Sequence, residues 1–188
     1  NYVTERIRRA GSVYVAGCDP TITIDTGVAP DSVKVAVSAG IISQMHVQSA
    51  DSQDGNTYYV VNHPTESYKK ISDINEIDVY ADGSPILENA RFGLNFFFNQ
   101  FSYGRTEKIL IQLPLGGYSV DEQAINDYDN LAITNMPDGS NTKNNTIRLY
   151  RVVLRYDTQG GGQYQNLLGV NGFQDERGFL LGQGGGGG

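Results

Sequence analysis

SVYVAGCDPTITIDTGVAPDSVKVAVSAGIISQMHV, residues 12–47, is the stretch that sets the fold class. Ser12 to Ala16 alternates around Val13 and Val15, and Thr21 to Asp25 and Ser32 to Val37 keep the same period of two. That period is the signature of strands with one face buried. Turn signals stand between them: Asp19-Pro20, Gly27, Pro30-Asp31 and Gly40. Ile41 to Val47 and Thr57 to Val61 extend the series across a polar loop, Ser49 to Asn56, with an Asp54-Gly55 turn. Five short strands in about 50 residues is the rhythm of a β-sandwich or jelly roll.

Further along, His63-Pro64 breaks the pattern, and Thr65 to Asn75 reads equally as a short helix or a long loop. Ile77 to Leu87 reads as a hairpin turning at Asp82-Gly83. Asn89 to Phe101 is the most aromatic segment, with Leu94, Phe96 and Phe98 on one face of a strand and Phe97 on the other. Burial on both faces is expected, in the core or at a subunit interface. Leu131 to Thr134 reads as a brief strand and Asn135 to Asn145 as an exposed loop. Thr146 to Thr158 carries the longest strand signal. Unbroken alternation there puts Ile147, Leu149, Arg151, Val153 and Arg155 on one face, and Arg148, Tyr150, Val152, Leu154 and Tyr156 on the other.

Lys108 to Asn130, KILIQLPLGGYSVDEQAINDYDN, predicts a strand stopped by Pro114, a Gly116-Gly117 turn and a helix over Val120 to Asp129. Ser119 and Glu122 have the spacing of a capping box, and Val120, Ala124, Ile125 and Tyr128 share one side. Asp121 and Glu122 sit where the helix dipole favours negative charge. This corner, a strand ending Leu-Pro followed by Gly-Tyr-Ser and a short acidic helix, resembles one found in viral jelly-roll capsid and penton-type proteins. Ile77 to Leu87 is similar to the strand openings of such jelly rolls. The resemblance implies a virion building block and carries no catalytic residue with it.

The chain of 188 residues has a formal charge of −7 and one cysteine. It is long enough for one domain with a core that needs neither metal nor disulfide. The acidic balance argues against general nucleic-acid binding, which requires a basic footprint. No apolar stretch approaches the ~20 residues of a membrane helix, so no transmembrane segment is expected. The sequence starts at Asn1, compatible with a leader or arm ahead of it. Residues 1–11 form an N-terminal arm with Arg6, Arg8 and Arg9 against Glu5. It reads either as a reach toward an acidic neighbour or as a solvated leader.

The β-sandwich domain is expected over residues 12–158. From Gly160 onward 12 of 29 residues are glycine. Residues 159–188 therefore read as a Gly-rich C-terminal tail that cannot build its own core. Its apolar knots, Leu167-Leu168, Phe173 and Phe179-Leu180-Leu181, predict a strap docking on a neighbouring subunit or on the parent domain. Gly184 to Gly188 reads as a spacer or the start of a longer glycine-rich region.

Chemistry-bearing motifs are scarce. His46 lies in a predicted strand and His63 precedes a proline, and with Cys18 they are too few for a four-ligand zinc site. Gly17-Cys18-Asp19-Pro20 offers nothing that would activate a thiolate, and Cys18 reads as a small buried or turn residue. No phosphate-loop, nucleophile-elbow or H-E-x-x-H pattern occurs. Three Asx clusters have calcium-capable oxygens without EF-hand spacing: Asp51, Asp54 and Asn56; Asp127, Asp129 and Asn130; Asp138 and Asn141. They serve equally as turns. Tyr58, Tyr59, Tyr68 and Tyr80 make either a sugar-stacking platform or interface residues, and Asn144-Asn145-Thr146 is a glycosylation sequon.

The expectation is an all-β, jelly-roll-like antiparallel sandwich of eight to ten short strands with one short helix and an extended tail. Its expected role is structural and non-catalytic, with no cofactor and no metal: a virion protein of capsid, penton, spike-base or decoration type, as in a bacteriophage. Its partners would be copies of itself and other virion proteins. The candidate assembly residues are Phe96, Phe97, Phe98, Leu167, Leu168, Phe173, Phe179, Leu180 and Leu181, with Arg6, Arg8 and Arg9 in the arm. The alternative is a carbohydrate-binding or adhesin module at a cell surface or outside the cell; a third reading is a sandwich hydrolase working through carboxylates.

Overall fold

A computed structural model describes residues 13–43, 47–50, 52–53, 57–66, 69–99, 109–127 and 146–177. The fold is an all-β sandwich. Its strands are β1 (Val13–Gly17), β2 (Pro20–Asp25), β3 (Ser32–Val37), β4 (Gly40–Ser43), β5 (Val47–Ala50) and β6 (Tyr58–Val61). They continue with β7 (Lys69–Ile71), β8 (Ala90–Asn99), β9 (Ile109–Gln112), β10 (Thr146–Asp157), β11 (Gln163–Asn166) and β12 (Gln174–Asp175). The helix α1 spans Asp121–Asn126.

Seven strands form the main sheet in the order β11-β10-β8-β9-β6-β7, with β12 also on β10. All its pairs are antiparallel except β6 with β9. Opposite it lie the β2–β3 ribbon and the three-stranded β1-β4-β5 sheet. One core cluster joins the layers: Ile22, Val33, Val35, Val37 and Ile42 on one side, and Val60, Phe92, Leu94, Phe96, Phe98, Ile109 and Ile111 on the other. The period-two reading of β3 holds, since Val33, Val35 and Val37 are buried between residues that are not.

The outer edge of β3 is closed without another strand. Val33 N donates to Asp73 Oδ1 (3.0 Å), and Val37 and Gln53 exchange both backbone bonds (2.8 Å each). Between them the Tyr58 hydroxyl accepts from Val35 N (2.8 Å) and donates to Val35 O (3.1 Å). A main-sheet side chain thus stands in for a missing strand, and an edge that would otherwise recruit one is covered.

Four expectations are corrected. First, alternation along β10 is broken. Leu149 is the extra residue of a bulge between Arg148 and Tyr150. Ile147 and Leu149 therefore join Tyr150, Val152 and Leu154 in the core, while Arg148, Arg151, Val153 and Arg155 take the other face. Second, the helix is only six residues, and its N-cap is Val120 with no side-chain cap, so Ser119 and Glu122 form no capping box. A capping box occurs instead at Asp73 and Glu76, opening a 3-10 turn at Ile74–Glu76 in the segment that read ambiguously.

Third, the Ile77 to Leu87 hairpin has one bridge, Val79 with Pro85, closed by Tyr80 N to Ser84 O at 2.9 Å. Fourth, the folded domain extends past Thr158, and as far as Arg177 the strap docks on the parent domain, one of the two places expected for it. β11 and β12 both pair with β10, so the domain runs through the boundary expected at residue 158. Among the described residues the strand count is twelve, above the expected eight to ten.

Candidate functional site

The residues after Thr158 clasp the two layers together. Asp31 N donates to Gly162 O (2.9 Å), Tyr164 N to Asp31 Oδ2 (3.2 Å) and Ile22 N to Asn171 Oδ1 (2.7 Å). Arg177 ends the clasp. It donates to Gly17 O (2.9 Å), Asp19 Oδ1 (2.6 Å) and the Asp175 carboxylate, and its guanidinium lies 5.5, 5.4 and 5.9 Å from the Tyr14, Tyr150 and Phe173 rings. The hydrogen bond from Arg177 holds the Asp175 carboxyl below its ordinary range. Next to it, Glu176 is buried against Arg148, and desolvation outweighs that pairing to push its carboxyl above the ordinary range.

This clasp forms a cleft of about 550 Å³. One wall is the β2–β3 turn, Thr26 to Ala29, followed by Asp31; the floor is the β10–β11 ladder. Arg155 faces Gln165 and Asp157 faces Gln163 across that ladder, so these four side chains project on one face as a two-by-two array. Arg155 Nη2 donates to Asn89 Oδ1 (2.7 Å), and its buried Nε has no partner among the described residues. Asp157 Oδ1 accepts from Gln159 N (3.0 Å). Tyr164 lies beneath, its ring 5.1 Å from that of Tyr156, and burial raises its hydroxyl pKa.

A second feature is the outer side of the three-stranded sheet. Tyr14 pairs with Ile42 and Ala16 with Ile41, so a bulge sets both Val15 and Ala16 opposite Ile41. Tyr14 and Ile42 turn inward; Val15 (50% exposed), Ala16 and Ile41 (39% exposed) face water.

The aromatic run expected at an interface is inside the chain. Phe96 and Phe98 belong to the core cluster, and Phe97 is buried on the other face beside Leu110. Phe173 stacks edge-on against Tyr150 at 5.3 Å, and Leu167 and Leu168 are half-buried, with Leu167 N bonded to Val153 O. These knots dock on their own domain. Tyr58, Tyr59 and Tyr80 are buried, so they form no sugar-stacking platform, and Tyr68 lies outside the described residues.

Cys18 is buried, and burial raises its thiol pKa. His63 Nδ1 accepts from Thr65 N and Glu66 N at 3.3 Å each, which makes it a turn-capping side chain. Asp127 accepts from the Tyr118 hydroxyl. Phe179, Leu180, Leu181, Arg6, Arg8, Arg9 and His46 lie outside the described residues, as do the remaining members of the Asx clusters and Asn144 and Asn145 of the sequon. Among the described residues no group of three or more His, Cys, Asp or Glu is placed to hold a metal, and no helix is long and apolar enough to cross a membrane.

Sequence reasoning missed the cleft. Its one sequence signal is the polar–aromatic–polar run Gln163-Tyr164-Gln165, a short strand with one wet face, hidden by the glycines before it. Comparison with family models, curated proteins and solved structures returns no match to this chain.

Proposed function

We propose that the protein is a non-catalytic structural subunit that assembles with further copies of itself, as in the shell or spike base of a virion. The observation that carries this reading is the Val15, Ala16 and Ile41 strip, aliphatic side chains on the outer face of a twisted sheet. Charge supports a second copy as the occupant. Residues 1–11 are net +2, which leaves −9 on residues 12–188 within the total of −7, so the arm of one copy is complementary to the body of another. The resemblance of the corner at residues 108–130 to jelly-roll capsid proteins points the same way.

Magnitude limits how one such contact works. Covering the exposed halves of Val15 and Ile41 is worth about 1 kcal/mol each. A micromolar dimer needs about 8 kcal/mol. The strip therefore supports association only together with the arm and repeated contacts around a closed assembly, where each subunit is held at more than one interface. Sedimentation velocity of the full chain and of Ile41→Asp tests the reading. The expected result is concentration-dependent association that the variant loses while keeping its unfolding midpoint; equal association in both refutes the strip as the contact.

A further inference from the structure

We propose that the cleft between the Thr26 to Ala29 turn and the β10–β11 ladder binds a neutral oligosaccharide. This site is separate from the Val15–Ile41 strip, and the inference does not depend on assembly.

The chemistry of the lining selects the ligand class. Among the described residues of the lining, Asp31 and Asp157 stand against one cation, Arg155, so phosphate, sulfate or a sialic-acid carboxylate would meet more negative than positive charge. An apolar ligand would strip water from Arg155, Asp157, Gln163 and Gln165 and return no hydrogen bonds. A sugar hydroxyl both donates and accepts. The array offers acceptors in Asp157 and the glutamine carbonyls, set one strand spacing from donors in Arg155 and the glutamine amides. Planar side chains at that spacing can bridge two neighbouring hydroxyls of one ring.

The rim, the volume and the support beneath the site also fit. On the rim, Val28 is 49% exposed and offers an apolar contact to the C–H face of a pyranose. The volume of about 550 Å³ lies within the range of small-ligand sites and suits a short oligosaccharide. The site is also supported from beneath: the Asp31 carboxylate is fixed by Tyr164 N, which ties the turn wall to the ladder floor.

The test is an array of neutral, sialylated and sulfated oligosaccharides probed with the full chain, followed by calorimetric titration of the best neutral binder. The Gln163→Ala, Gln165→Ala double variant is the comparison, since both side chains are exposed on an edge strand and their loss spares the core. The expected result is binding to neutral glycans that weakens tenfold or more in the double variant, with the urea midpoint and native mass unchanged. Binding confined to sialylated or sulfated glycans, no neutral binding at millimolar sugar, or equal binding by the variant each overturns the proposal. Unchanged native mass separates this outcome from any failure of the assembly reading.

Discussion

Tyr58→Phe removes one oxygen from the protein and should cost much of its stability. The hydroxyl is the partner of both Val35 N and Val35 O, and Tyr58 and Val35 are fully buried. Ile22, opposite Val35 on β2, cannot replace it. Ser38 N bonds Asp19 O, which sets the alternation of the ribbon so that the Val35 amide and carbonyl point away from β2. Phenylalanine keeps the ring and its edge-on contact with Phe96 at 6.4 Å, so packing is almost unchanged. The loss is then that of two stranded backbone groups at about 1–3 kcal/mol each, or about 3 kcal/mol together after some relaxation. For a domain whose total stability is about 5–15 kcal/mol, that is a large share. Urea unfolding followed by circular dichroism reads it as a lower midpoint with an unchanged slope. A loss below about 0.5 kcal/mol would refute the argument that this hydroxyl closes the β3 edge.

Other predictions come from the clasp and the second face of the main sheet. A chain ending at Thr158 loses Tyr164 and Phe173 from the core and leaves Arg148 buried without Glu176; these together cost about 6–10 kcal/mol, so it should show no cooperative unfolding transition. A midpoint equal to the full chain's would contradict the clasp. Gly93→Ala places a Cβ 2.3–2.5 Å from the Arg151 guanidinium, which is buried and held by Gln174 Oε1, so a loss of about 2 kcal/mol is expected in urea. Acid should weaken the clasp through Asp175. Its pKa is depressed in the folded chain, so its contribution is present above the ordinary value of 3.8 and lost as pH falls through the folded value. The stability gap between the wild type and Asp175→Asn, read from thermal midpoints, should narrow as the pH falls below the ordinary value of 3.8. Glu176 has the opposite sign: its pKa is raised, so its contribution is fully present below the ordinary value of 4.5 and lost as pH rises through the folded value.

The strands were legible where one period ruled. β2 and β3 alternate cleanly because each buries a single face, and their bounds follow from Thr21 to Asp25 and Ser32 to Val37 almost residue for residue. β8 read as buried on both faces, and it is, but sequence could not tell core from interface; only the neighbours of Phe97, Arg148 and Leu110, decide that. β10 misled because a bulge at Leu149 shifts the side chains on either side of it, and nothing local in Arg148-Leu149-Tyr150 announces an extra residue. The helix cap failed because the chain stays extended through Val120, while Ser119 offers its carbonyl to Arg91.

The domain boundary at residue 158 was the largest misreading, and its cause is physical. Glycine-rich composition predicts an entropic cost, but Gly160, Gly161, Gly162 and Gly169 have positive φ, so here glycine makes the turns that return the chain to β10. The cleft stayed hidden for the same reason. Its floor exists only when residues 163–165 lie beside β10, and its wall is a turn whose contact with them spans 133 positions of sequence.

The proposed role rests on whether copies of this chain associate, and native mass spectrometry of the full chain over a concentration series measures that directly. A closed oligomer of one defined copy number, dissociating with rising salt as the arginines of the arm are screened, is the predicted result. A monomer at every concentration and ionic strength would contradict the account.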